Sequence, residues 1–223
     1  MRSKVAKRIL QVFARYVLLA VLLFASVGRL DWPWAWAYLG VGLAALIANA
    51  LALPPELMVE RTGFGKKARD WDKVLLVLIS GPVLVGLVVA GLDERWGWRP
   101  DVAPFAQVAG LVFLAMGQGL QTWAMATNTF FSEAIYIQKE RGHTVVTGGP
   151  YRYVRHPGYV GIMISMLAMP IALGSPWALI PVGIGVGFYV VRTAMEDKML
   201  LAELEGYTGY AHRVRFRLLP GLW

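Results

Sequence analysis

Apolar and polar positions in this chain are segregated into long blocks rather than alternating at short period. Apolar blocks run over roughly Val12 to Gly28, Trp34 to Leu53, Val74 to Leu92 and Phe105 to Ala126. Each comes close to the ~20 residues that a helix needs to cross a bilayer. Between Gly158 and Val191 there is no Asp, Glu, Lys or Arg, and Gly174-Ser175-Pro176 interrupts the run near its middle. The two arms of that hairpin are about 15–17 residues, or roughly 23–26 Å at helical rise, slightly short of a bilayer core. The pattern predicts six spans, the last two a tilted or incompletely spanning pair. Met195, Met199, Leu200 and Leu204 then recur at helical spacing, which predicts a separate amphipathic helix from Arg192 to Glu205, ended by Gly206. Gly183 and Gly187, four apart, predict close packing of the hairpin arms.

The polar blocks between spans define the topology. Of the 22 Lys and Arg, all but Arg29, Arg95 and Arg99 fall in the N-terminal stretch, the 54–73 loop, the 127–157 segment or the part after the hairpin. That asymmetry predicts that these blocks share the cytoplasmic side, with both termini. A basic start followed by an apolar run also describes a signal peptide, but the further spans favour an uncleaved first helix. Apolar residues make up 57% of the 223 and charged ones 16%, so the fold class is all-α integral membrane. The net charge of +8 is explained by topology and surface lipid, without a nucleic-acid partner. With no Cys, thiol chemistry and cysteine metal sites are excluded, and three scattered histidines lack the spacing of a metal site.

Candidate chemistry concentrates in Gly148-Gly149-Pro150-Tyr151-Arg152-Tyr153-Val154-Arg155-His156-Pro157-Gly158-Tyr159-Val160-Gly161. Its Gly-Pro and His-Pro steps hold the backbone out of helix just where an apolar block begins, the mark of a binding site at a membrane face. Arg192 and Glu196 are four apart and share a helix face; that spacing by itself describes an intrahelical salt bridge worth a few tenths of a kcal/mol. A histidine beside a proline, as at His156, is more often hydrogen-bonded architecture than a proton shuttle.

The combination of Gln138, the His143-Thr144-Val145-Val146 run, Gly149-Pro150-Tyr151, Arg155-His156-Pro157-Gly158-Tyr159-Val160-Gly161, Arg192 and Glu196 resembles the isoprenylcysteine carboxyl methyltransferase family, which is grouped with the phospholipid N-methyltransferases. The resemblance covers about Asn128 to Trp223 and implies an S-adenosylmethionine-dependent membrane methyltransferase acting on a lipidic or prenylated acceptor. It further implies that Gln138, His143, Thr144, Val145, Val146, Tyr151, His156, Pro157, Gly158, Tyr159 and Glu196 line the cofactor pocket, and that Arg192 contacts the acceptor carboxylate. The family's adjacent acidic pair is here Glu196-Asp197, a mild departure at the second position. Residues 1–126 then form a region of four spans, and residues 127–223 the methyltransferase-like region.

The residue types suit those roles. A sulfonium cofactor calls for a carboxylate and ring faces, and an already ionised acceptor carboxylate needs an arginine to orient it rather than a base. Two other readings exist. A membrane sterol-reductase type shares an Arg-His-Pro-x-Tyr-x-Gly run and would bind NADPH, but an acid usually follows its glycine where Ile162 stands here. A non-catalytic membrane protein such as a transporter subunit would be expected to carry charges along its spans.

Overall fold

A computed structural model describes residues 2–53, 68–98 and 102–223, with side chains from Leu10 onward within the first helix. The described residues form seven α-helices joined by short turns and 3-10 segments: α1 (Arg2–Val27), α2 (Pro33–Ala52), α3 (Asp70–Trp96), α4 (Pro104–Thr127), α5 (Pro157–Ala172), α6 (Leu179–Glu203) and α7 (Tyr207–Arg213). Five of them, all but α5 and α7, are long and apolar enough to cross a membrane, while α5 is a shorter apolar helix. The protein is an all-α integral membrane protein. Most of the polar loop expected over 54–73 lies outside the described residues.

The spans expose their apolar side chains, as a lipid-facing surface requires. Val17, Ile47, Val77, Val112 and Ile184 are all exposed, on five different helices. One buried cluster nonetheless ties the chain together, from Leu23 and Trp32 through Ile79, Leu87 and Met169 to Val182 and Leu218. The closest packing is between α4 and α5. A Cβ on Gly161 would stand 2.5 Å from the Gly117 carbonyl oxygen, and one on Gly110 would stand 2.4 Å from the Ala172 nitrogen. Small residues allow this backbone-to-backbone approach, which supplies dispersion and weak polar contacts where lipid removes the usual hydrophobic drive.

The structure departs from the predicted elements in two places. The second arm of the hairpin does not stop at Val191; α6 runs unbroken to Glu203, so there is no separate amphipathic helix. No Gly or Pro interrupts the chain there, and Arg192 and Asp197, two of the polar side chains that suggested a boundary, are buried against partners from other elements. Gly183 and Gly187 do not carry the close packing expected of them: nothing lies within 4 Å of a Cβ built at either. Gly185, on the opposite face, is the one against α3, where its Cβ would meet the Ile79 carbonyl oxygen at 3.2 Å.

The alternation of helices brings the starts of α1, α3 and α5 to the same end as the finishes of α2, α4 and α6. Ion pairs stitch that end: Arg15 of α1 with Glu133 at 3.6 Å, and Arg69 with Glu203 at 2.5 Å. The opposite end is held by Arg29 with Glu94 at 2.5 Å and by the Ser175 hydroxyl donating to Asp93 at 2.6 Å.

Candidate active site

The pocket is built at the first of these ends, by the irregular segment 128–156 folded over the starts of α3 and α5 and the last turns of α6. Asn128 opens the segment with a local turn, its side-chain oxygen accepting the Phe130 N–H at 2.9 Å. The 3-10 turn Lys139–Arg141 ends at Gly142, whose φ of 62° lies in the left-handed region that glycine adopts without penalty. That turn brings His143 back over the segment. Its ring stacks on Phe130 at 4.5 Å, and its Nδ1 accepts the Gln138 N–H at 3.4 Å. Gln138 itself donates from its side chain to the Phe130 carbonyl at 2.6 Å, and Arg141 donates to the Gln138 side-chain oxygen. Burial, with the Arg141 charge adding to it, holds the His143 imidazole below its ordinary pKa, so it is neutral at pH 7.

The Gly149–Arg152 turn buries Tyr151, whose hydroxyl accepts from the Asn128 side chain at 3.2 Å and whose carbonyl accepts the Tyr210 hydroxyl at 2.8 Å. Arg155 and His156 then run beside the C-terminal stretch. Their N–H groups donate to the Phe216 and Arg217 carbonyls, each at 2.9 Å. Pro157 starts α5, where its missing N–H costs nothing. Gly158 is required by the approach of Phe131, whose ring carbon would stand 2.4 Å from a Cβ there.

Two carboxylates from α6 and one from α3 organise the polar side chains. Asp197 is fully buried and accepts two bonds from Arg155, at 2.8 Å each, one from Arg217 at 2.8 Å and one from the Tyr207 hydroxyl at 2.8 Å. His156 Nε2 lies 3.3 Å from the same carboxylate. Burial and the Asp197 charge push the Tyr207 phenol well above its usual range, which keeps it a donor. Tyr207 and Tyr210 belong to α7, which starts after the left-handed Gly206 (φ 81°) and packs with Tyr151, Leu204 and Ala124 over the pocket.

Glu196, one residue before, points the other way, into the pocket. One of its oxygens, Oε2, is buried with no hydrogen-bond partner among the described residues, 3.9 Å from His156 Nδ1. The His156 ring is stacked on Tyr159 at 5.6 Å.

Arg192 is 2% exposed and does not pair with Glu196. Its Nε donates to Asp72 of α3 at 2.7 Å, its Nη1 to the Tyr159 hydroxyl at 3.1 Å and its Nη2 to the Glu133 carbonyl at 2.8 Å. The guanidinium also lies over the Tyr159 and Tyr189 rings, at 5.2 and 5.7 Å.

Of the residues singled out in the sequence, Gln138, His143, Thr144, Val145, Val146, Tyr151, His156, Gly158, Tyr159 and Glu196 line one cavity, together with Phe130, Ile135, Leu200, Tyr207 and others. Pro157 is buried beside it rather than lining it, and Arg192 reaches it through the Tyr159 hydroxyl. Phe130, Tyr207 and Asp72 carry no motif. The one sequence signal for Asp72 is an acid placed where an apolar helix begins.

This arrangement offers an unpartnered carboxylate oxygen, a neutral imidazole and several ring faces to a ligand, with hydrophobic walls from Val145, Val146 and Leu200. Among the described residues no cluster of His, Cys, Asp and Glu can hold a metal ion.

Comparison with known proteins points the same way. A model of the isoprenylcysteine carboxyl methyltransferase (ICMT) family matches residues 109–202. Protein-S-isoprenylcysteine O-methyltransferase B of Arabidopsis thaliana is 30% identical over 145 residues, covering 63% of this chain and 70% of the relative. The protein-S-isoprenylcysteine O-methyltransferase of Schizosaccharomyces pombe is 40% identical over 70 residues, 31% of this chain and 30% of the relative. The human enzyme of that name is 32% identical over 110 residues, 48% and 39% respectively. The chain thus spans under two thirds of the length of several of the curated relatives it matches.

Proposed function

The chain belongs to the isoprenylcysteine carboxyl methyltransferase family, and from that premise we propose that it transfers a methyl group from S-adenosylmethionine to the carboxylate of a prenylated or otherwise lipidic acceptor. The observation that carries the reading is Glu196, whose buried Oε2 lacks a partner in a pocket lined by ring faces, apolar side chains and polar groups that include Gln138, Thr144 and Arg155. A buried carboxylate left incomplete costs free energy unless a ligand completes it, and a cationic ligand does so best.

The residues fit the cofactor. Glu196 would meet its positive charge, the Tyr151 and Tyr159 rings would supply aromatic wall, and His143, Thr144, Val145, Val146 and Gln138 would close the remaining wall. When bound, that group supplies an electrophilic methyl on a sulfonium and leaves as a neutral thioether. The protein's part is alignment and exclusion of water. Arg192 is the group we assign to the acceptor carboxylate, where a planar guanidinium orients an oxygen without withdrawing a proton. An acceptor would replace the Tyr159 hydroxyl or the Glu133 carbonyl at its Nη atoms. A carboxylate is the nucleophile in its ionised form, so no base is required. The pocket end carries most of the basic residues, and we place it, with both ends of the chain, on the cytoplasmic side.

The test is calorimetric titration of the detergent-purified protein with S-adenosylhomocysteine, beside NADPH, followed by methyl transfer to an N-acetyl S-prenyl cysteine. One-to-one binding of the nucleoside, silence with NADPH and label on the carboxylate are expected. Binding of NADPH alone, or of neither by folded protein, would overturn the reading.

A further inference from the structure

The N-terminal helices carry no recognised motif, yet one of them supplies a carboxylate to the centre of the site. Asp72, in the first turn of α3, has 0% exposure and two separate bonds. Its Oδ1 accepts Arg192 Nε at 2.7 Å, and its Oδ2 accepts the Ile135 N–H at 2.8 Å. Arg192 in turn holds the Glu133 carbonyl and the Tyr159 hydroxyl. Ile135 and Tyr159 both line the pocket. One carboxylate therefore fixes the plane of the guanidinium and, two residues from Glu133, the backbone of the pocket wall.

We infer that Asp72 is a positioning residue for the reaction: it holds Arg192 by Nε so that Nη1 meets the hydroxyl of the pocket-lining Tyr159 and Nη2 the Glu133 carbonyl, the two positions an acceptor carboxylate would take. The inference rests on the function proposed above. The chemistry favours this division. A guanidinium can be engaged at the Nε edge while its Nη atoms serve another partner, and the two arrangements are geometrically distinct. Asp72 touches Arg192 with one oxygen only, so its second oxygen stays on the wall and cannot slide round to cover the Nη atoms. A buried arginine without a counter-charge would also be strongly disfavoured, so the helix that carries Asp72 is what allows an arginine at this depth. The acceptor's charge is met by a cation already oriented, and little reorganisation is left for the moment of reaction.

The experiment compares wild type, Asp72→Asn, Arg192→Gln and the double variant in detergent, reading S-adenosylhomocysteine affinity by calorimetry and steady-state kinetics toward an N-acetyl S-prenyl cysteine. Asp72→Asn keeps the size of the side chain and removes its charge. It is expected to lower acceptor kcat/KM on the order of a hundredfold while nucleoside affinity stays within about threefold. The double variant is expected to be no worse than Arg192→Gln, because Asp72 acts through that arginine. Wild-type acceptor kinetics in Asp72→Asn would overturn the inference. So would parallel loss of nucleoside binding and turnover, which marks a purely structural role, or a double variant far below Arg192→Gln. If wild type itself binds no nucleoside, the proposed function fails first, and this inference falls with it by a different reading of the same titration.

Discussion

Glu196 and Asp197 are neighbours in the chain and opposites in the molecule. About 100° of helical rotation separates them, enough to send Glu196 into the pocket and Asp197 against the C-terminal stretch. Asp197 is saturated: two arginines and a tyrosine donate to it, with His156 beside it. Glu196 keeps an oxygen without a partner. One acid is spent on holding the site together, the other is left for what the site holds. The two share a charge but not a setting: Asp197 is fully buried with its donors engaged, whereas Glu196 is partly exposed and keeps a free oxygen.

The comparison breaks most visibly at Asp197. Asp197→Ala leaves Arg155 and Arg217 uncompensated and is expected to cost about 3–5 kcal/mol, read as a fall in thermal midpoint or loss of monodisperse protein in detergent. Glu196→Ala should do the reverse. The thermal midpoint is expected to be unchanged or raised, and S-adenosylhomocysteine affinity to drop about 10- to 100-fold. A variant of Asp197 as stable as wild type, or of Glu196 as unstable as Asp197→Ala, would erase the distinction.

Below these comes the packing that supports both acids. Gly161→Ala drives a methyl into the Gly117 carbonyl and should destabilise by about 1–3 kcal/mol. Gly183→Ala, with open space around it, should be neutral or gain up to about 1 kcal/mol from helix propensity.

The smallest effect is expected from pH. His143 titrates below its unfolded value, so the stability it contributes is whole above about pH 6.5 and is lost as pH falls through the folded pKa. Thermal midpoints taken from pH 7.5 down to 5 should fall less steeply in His143→Gln than in wild type.

The helices were readable because each apolar block is long and its flanks carry charge or proline, and the pocket lining through the family resemblance carried by Gln138, the 143–146 run, the motif around His156 and Glu196. Asp72 was not readable. It pairs with a residue 120 positions away, and nothing local in an acid at the head of a helix reveals such a partner. The continuity of α6 was hidden for the same reason. Arg192 and Asp197 resemble the start of a solvated segment until Asp72, Tyr159 and Arg155 are in place to bury them. Gly183 and Gly187 misled because spacing reports which residues share a face but not whether another helix lies there. Asp197 stood only as a mild departure from the family's acidic pair, because the donors that saturate it come from three separate stretches of chain.

The unbroken run of α6 has a metric consequence. Arg192 and Glu196 ride on one stiff rod with no joint between them, and four residues at 1.5 Å fix their axial offset at roughly 6 Å. The helix is a ruler that sets the spacing between the groups proposed to meet the two reactants. Adding a single residue between these marks would swing one of them by about 100°, out of the cavity altogether, whereas a whole extra turn would preserve direction and spoil the distance. Either change keeps every side chain's identity and separates the two halves of the site.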